Sequence, residues 1–151
     1  EKTRLIEFGC SALRKAEEPG GKKPGTFDFL GFTHECARSR RGRFTVHVRT
    51  MCKRIRRSLL MVSAWCQEHR HDPVQKQSEA LNRKLRGHYQ YYGRSTNYRR
   101  LWGFHRCVRR IWRKWLNRRT RCKTVDWNEY AGILHQHPLL RPWITHPMLA
   151  R

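Results

Sequence analysis

Acidic residues are the first scarcity in this 151-residue sequence: 11 Asp or Glu stand against 34 Lys or Arg, a formal charge of +23. A body so one-sided repels itself unless a polyanion neutralises it. Long apolar runs are missing as well. Nothing approaches the roughly 18–20 residues that span a bilayer, and residues 1–15 hold no signal-peptide core, so neither membrane insertion nor secretion is expected. No Cys-x-x-Cys pair occurs among Cys10, Cys36, Cys52, Cys66, Cys107 and Cys122. Zinc-ribbon and thioredoxin-like motifs are therefore excluded, and the cysteines read as reduced and mostly half-buried fillers. His34 with Cys36, Cys66 with His69 and His71, and His135 with His137 come closest to ligand spacing, but none completes a four-ligand set.

Catalytic signals are equally thin. Asp28, Asp72 and Asp126 lie far apart, whereas two-metal phosphoryl transfer needs carboxylates gathered around Mg²⁺. Neither a P-loop nor a G-x-S-x-G elbow is present. Glu17 and Glu18 read as a solvated loop face. The chain by itself reads as non-catalytic, with no metal and no cofactor of its own.

What remains is cationic and aromatic. Between Glu79 and Asp126 lie 46 residues with fifteen Lys or Arg and no acid; between Glu35 and Glu68 a second such run holds nine. Ordinary solvated faces mix both signs, so these runs point to a nucleic acid, which binds clustered cations by releasing counterions. Arg outnumbers Lys, favouring phosphate forks and base stacking over diffuse attraction to a membrane surface. Aromatics at 11% and apolar residues at 38% allow a modest core, unlike a disordered basic tail.

The period of the apolar residues sets the organisation. Residues 1–15 carry Leu5, Ile6, Phe8 and Leu13 without clean periodicity and read as the end of something begun earlier; a Pro/Gly loop follows at 18–25. Residues 26–35 and 43–49 read as the two strands of a hairpin around Arg38-Ser39-Arg40-Arg41-Gly42. A lone hairpin is marginal, so it should pack on something else. Then Met51, Ile55, Leu59, Val62 and Trp65 trace one helix, and Leu81, Leu85, Tyr89 and Tyr92 a second, closed by Gly93. Leu101, Phe104, Val108, Ile111 and Trp115 trace a third, with Ser95 and Thr96 as caps. Asp126 and Glu129 form a capping-box start for a short helix through Leu134, after which residues 137–151 run extended. The expected fold class is α+β, mostly α: an N-terminal β-hairpin, a three-helix bundle and a short C-terminal helix. The expected domains are 1–49, 50–123 and 124–151.

Candidate nucleic-acid contacts are Lys53, Arg54 and Arg57 on the first helix, Arg83, Arg86, Tyr91 and Arg94 on and after the second, and Arg99, Arg106, Arg110, Arg113 and Lys114 on the third. Tyrosines between arginines can stack on bases while the guanidiniums hold phosphates. Tyr89 and Tyr92 are expected in the core, with Tyr91 and His88 outward. Trp102, Trp112 and Trp115 are expected to pack rather than stack.

Five segments carry a resemblance. Lys2-Thr3-Arg4-Leu5, Phe8-Gly9 and Gly25-Thr26-Phe27-Asp28-Phe29-Leu30-Gly31-Phe32-Thr33-His34, followed by Arg86-Gly87-His88-Tyr89-Gln90-Tyr91-Tyr92 and Trp143-Ile144-Thr145-His146-Pro147, resemble bacterial group II intron reverse transcriptase/maturases over nearly the whole chain. The resemblance implies that Phe29, Leu30, Gly31 and Phe32 are the primer grip ending the polymerase palm, and that the helices are the maturase-specific thumb, or domain X. It implies as partners intron RNA, a template–primer duplex, and the palm and fingers of the same protein, in a bacterial cytoplasmic ribonucleoprotein. The family's Tyr-Ala-Asp-Asp block has no counterpart here, so Mg²⁺ is expected only in the catalytic part of the parent. No HNH-type cluster follows the thumb-like helices. Without the palm, an apolar face around Phe27, Phe29 and Phe44 should be exposed and drive self-association. A free-standing basic structural RNA-binding protein is the alternative, and a nuclease built on His69 or His71 a third reading.

Overall fold

The computed structural model describes residues 5–119 and 124–147. The chain divides into two compact units, Glu1–Met51 and Cys52–Arg151. The class is α+β and mostly α, as the periodicities require.

The first unit holds helix α1 (Cys10–Glu17) and an antiparallel sheet of β1 (Phe27–Phe29), β2 (Phe32–Arg38) and β3 (Phe44–Thr50), in the order β1-β2-β3. The two-stranded hairpin expected from the sequence is corrected to three strands, because residues 26–35 fold back on themselves. Phe29 pairs with Phe32 across a two-residue turn, Leu30-Gly31, whose φ angles are +48° and +80°. Positive φ at both positions is the mark of a type I′ hairpin turn. Glycine adopts it freely, but leucine is strained there by about 1–2 kcal/mol. Leucine is no turn residue, and the sequence hid the turn for that reason. The β2–β3 connection is the expected one, with Ser39 N–H donating to the Arg43 carbonyl at 2.8 Å. A third strand also supplies the support that a lone hairpin lacks. The Arg38 guanidinium reaches across to Glu17 of α1, and Gly9 N–H donates to Cys36 Sγ at 3.3 Å.

Helix α1 is a second departure. Two turns, of which only Ala12 is buried, are too few to print a period on residues 1–15.

The second unit is built from α2 (Cys52–Glu68), α3 (Val74–Tyr92), α4 (Tyr98–Leu116) and α5 (Trp127–Gln136). Its core joins Val62 and Cys66 of α2, Leu81, Leu85 and Tyr89 of α3, and Leu101, Phe104, Val108, Trp112, Trp115 and Leu116 of α4. Tyr130 of α5 and Leu139 beyond it complete the cluster. Pro73 sits at the N-cap of α3 and Gly93 at its C-cap. Ser95 and Thr96 do not occupy the N-cap position of α4. They lie in a 3₁₀ turn (Ser95–Asn97), the cap position falls to Asn97, and its side chain instead donates to the Tyr92 carbonyl at 2.9 Å. The capping box at α5 is present in full, Asp126 accepting from Glu129 N–H at 2.7 Å.

Gln77 locks the lower turn of this bundle. It is buried, its amide donates to the His69 and Asp72 carbonyls at 2.9 and 3.0 Å, and its oxygen accepts from Trp112 Nε1 at 2.8 Å. The α2–α3 loop is thereby tied to α4 through a side chain that no apolar pattern reveals.

Candidate nucleic-acid interface

The helices run alternately, so the start of α2, the end of α3 and the start of α4 meet at one end of the bundle. Cys52, Ile55 and Arg56 of α2 line a shared groove with Arg100 of α4. Burial raises the Tyr92 hydroxyl above its usual range, Tyr91 adds to this, and Arg54 pulls it back, which places α2's first turns beside the end of α3. That end gathers Lys53, Arg54, Arg56, Arg57, Arg94, Arg99 and Arg100, all exposed. Tyr91 and Tyr98 stand among them at 51% and 38% exposure.

The acids of this unit lie elsewhere. Glu68 ends α2, Asp72 lies in the α2–α3 loop, Glu79 follows α3's first turn, and Asp126 and Glu129 open α5 beside the far end of α4. The bundle is thus polarised: one end purely cationic, the other mixed. The arrangement is costly to the fold. Four cations at the start of α2, with no acid in its first turn, oppose the positive end of the helix dipole. A polyanion would relieve that repulsion.

The remaining predicted contacts spread over the outer helix faces. Arg99, Arg106, Arg110 and Lys114 follow the face of α4 opposite its buried residues, a stripe about 22 Å long at 1.5 Å per residue. Arg83 and Arg86 are exposed on α3. Arg113 is engaged inside the protein: its NH2 donates to the Val125 carbonyl at 3.0 Å and its guanidinium lies 3.8 Å over the Trp127 ring. Arg119 donates to the Arg70 and Asp72 carbonyls.

Tyr91 faces outward as expected, and Tyr89 is fully buried. His88 does not face outward. Its ring stacks on Phe104 at 3.8 Å and 10°, and burial lowers its pKa to about 4. Trp112 and Trp115 pack in the core. Of the primer-grip candidates, Phe29 and Leu30 are exposed at the hairpin tip, at 60% and 67%, while Gly31 and Phe32 are buried. Phe27 is likewise exposed, stacked on His34, and Phe44 is half-buried.

Two sequence blocks distant in the chain come together. Tyr89 meets Trp143 edge-on at 5.2 Å, Thr145 and His146 N–H both donate to the Gly93 carbonyl at 2.8 and 2.9 Å, and Arg94 bridges to His146.

Of the described cysteines, expected to be mostly half-buried, Cys36 and Cys107 are half-buried, Cys10 and Cys52 are exposed, and Cys66 is buried with its thiol pushed up to about 12. Cys122 lies outside the described residues. Among the described residues no three His, Cys, Asp or Glu side chains gather as a cation site. Asp28 accepts from Thr33 Oγ1 at 2.6 Å, Asp126 caps α5, and His69 stacks on Trp65. No helix among the described residues is long and apolar enough to cross a membrane. Comparison with protein-family models, with curated proteins and with solved structures finds no match to this chain.

Proposed function

We propose that this chain is the RNA-binding C-terminal segment of a group II intron reverse transcriptase/maturase, without a polymerase site of its own. In this reading α2, α3 and α4 hold intron RNA and the template–primer duplex, promoting splicing and mobility in a bacterial cytoplasmic ribonucleoprotein. The tip at Phe29, Leu30, Gly31 and Phe32 serves as primer grip beside the palm and fingers of the parent. DNA synthesis, with its Mg²⁺, belongs to that catalytic part.

One observation carries the RNA-binding half of the reading: seven exposed Lys and Arg with two exposed tyrosines at one acid-free end of the bundle. Cations hold phosphates there while phenol rings stack on unpaired bases. The maturase half rests on the resemblance of those five sequence segments.

Titration of structured intron RNA and of an arbitrary duplex against the protein, across salt, tests both halves. With six to ten phosphate contacts, affinity falls by about three to five decades between 50 and 200 mM salt. Intron RNA binds more tightly than the duplex at every salt concentration. Equal affinity for both would leave the alternative, a free-standing basic structural RNA-binding protein. The self-contained core of Cys52–Arg151 is the observation that favours it. A salt-independent affinity would remove both.

A further inference from the structure

A second, smaller cationic site lies on the other flank of α4, away from the basic end. A cavity of about 150 Å³ is lined by His105 and Arg109 of α4, Leu134 of α5, and Pro138, Leu139 and Arg141 of the segment after it. It is smaller than the roughly 300 Å³ at which organic-ligand pockets begin. No acid lines it.

His105 is the anomaly. The residue is 4% exposed, and neither Nδ1 nor Nε2 has a hydrogen-bond partner. Buried polar atoms nearly always find partners, and a bare imidazole at this depth is costly. Burial keeps the ring less basic than usual and Arg109 and Arg141 add to this, while the Leu139 carbonyl, near the ring but not aligned for a hydrogen bond with either nitrogen, opposes it. The imidazole is therefore neutral at pH 7, with one N–H to give, between two guanidiniums.

The walls are fixed. Tyr130 OH donates to the Arg109 carbonyl at 2.7 Å. Asn82 clamps the segment that carries Arg141, its Nδ2 donating to the Pro138 carbonyl at 3.0 Å and its Oδ1 accepting from Leu140 N–H at 2.8 Å. Tyr89 OH adds a bond to the Leu140 carbonyl at 3.2 Å.

The geometry points to an oxyanion site of the phosphate class, in which Arg109 and Arg141 fork the oxygens and His105 donates from its ring. Charge-assisted forks of this kind are the strong form of phosphate recognition. A single phosphoryl group fits the cavity and a nucleoside does not. The phosphoryl group comes either from free phosphate or from an RNA, and the inference does not rest on the maturase reading.

The test follows the His105 ring nitrogens by NMR in the full chain, titrated with inorganic phosphate at ionic strength held constant with chloride. A saturable shift is expected, weakened roughly tenfold in Arg141→Gln. Arg141 is exposed, so that variant leaves the core intact. Arg83→Gln on α3 should leave the response unchanged. No saturable shift, or an equal one in Arg141→Gln, overturns the site. Two short RNAs of one sequence, with and without a 5′-phosphate, identify the source. A response to the phosphorylated form alone assigns a terminal phosphate, a response to both assigns internal phosphodiesters, and a response to inorganic phosphate alone assigns the free ion. RNA affinity lost in a Lys53→Gln/Arg54→Gln variant, with the His105 response intact, shows that the two sites are separate. RNA affinity absent from the unsubstituted protein, with that response intact, sinks the RNA-binding reading alone.

Discussion

His88 sits inside a block whose neighbours alternate between core and solvent, and its own position is the informative one. Stacked on Phe104 and with Tyr92 tilted against it, it is held neutral, its folded pKa lowered by burial to about 4 against an ordinary value near 6.5. Between those two values the unfolded chain binds the extra proton and the folded one does not. Stability is therefore complete above about pH 6.5 and is lost as pH falls towards 4. The loss attributable to this ring is on the order of 1–3 kcal/mol. His105, also depressed, works in the same direction. Urea denaturation at pH 7 and at pH 4.5 checks the claim, comparing the native chain with His88→Phe, which keeps the stack on Phe104 and cannot titrate. The gap between the two proteins should change in favour of His88→Phe as pH falls. Parallel losses would mean that His88 charges without cost and is not held as the structure places it.

At the scale of elements, the end of α3 and the C-terminal segment depend on each other through Gly93. A Cβ built there would lie 2.2 Å from Thr145 Oγ1 and 2.4 Å from the Tyr89 carbonyl oxygen, so glycine is required for close approach. Gly93→Ala should cost about 1–3 kcal/mol, the usual range for overpacking. For a unit of this size that is on the order of 10 °C in Tm. Hydrogen exchange at Thr145 and His146, whose N–H groups both use the Gly93 carbonyl, should accelerate first. An unchanged Tm with unchanged exchange would show that the segment is not held by this crossing. The sequence marked Gly93 as the end of a helix, which is correct, but its contact with residues more than fifty positions away leaves no local trace. The same division runs through the fold. Helices α2, α3 and α4 are long enough for buried residues to repeat at three and four, and Asp126 with Glu129 announces α5 chemically. Helix α1 is too short to show a period, and the Leu30-Gly31 turn carries a leucine where asparagine or glycine would have signalled it. Gln77 and His105 are polar residues placed in the core, and an apolar pattern skips both.

Over the whole molecule, charge was legible as an amount and not as a place. The runs between Glu35 and Glu68 and between Glu79 and Asp126 state how cationic the molecule is. Only the alternating direction of α2, α3 and α4 brings the last cations of the first run beside the middle of the second and sends every acid of the bundle elsewhere. Tyr91 was readable as outward from its helix phase. Tyr98 was not singled out, because its exposure depends on α4 beginning where it does, after the 3₁₀ turn. Arg113 shows the converse, a cation that reads in the sequence as an RNA-facing charge but is engaged with Val125 and Trp127. If the acid-free end is the RNA surface, the charges there and those at the mixed end will not weigh equally. Replacing Lys53, Arg54 and Arg57 by glutamine should lower the slope of log affinity against log salt by about 0.7–0.9 for each phosphate no longer held, about 2–3 in all. Replacing Arg70 and Lys76, at the end that carries Glu68, Asp72 and Glu79, should change the slope by less than about 0.5 per charge. Circular dichroism of each variant controls for folding; removing cations from the start of α2 should if anything stabilise that helix. Equal slope changes per charge at the two ends would mean that the protein attracts RNA as a diffuse cation, and the polarity of the bundle would then have no part in binding.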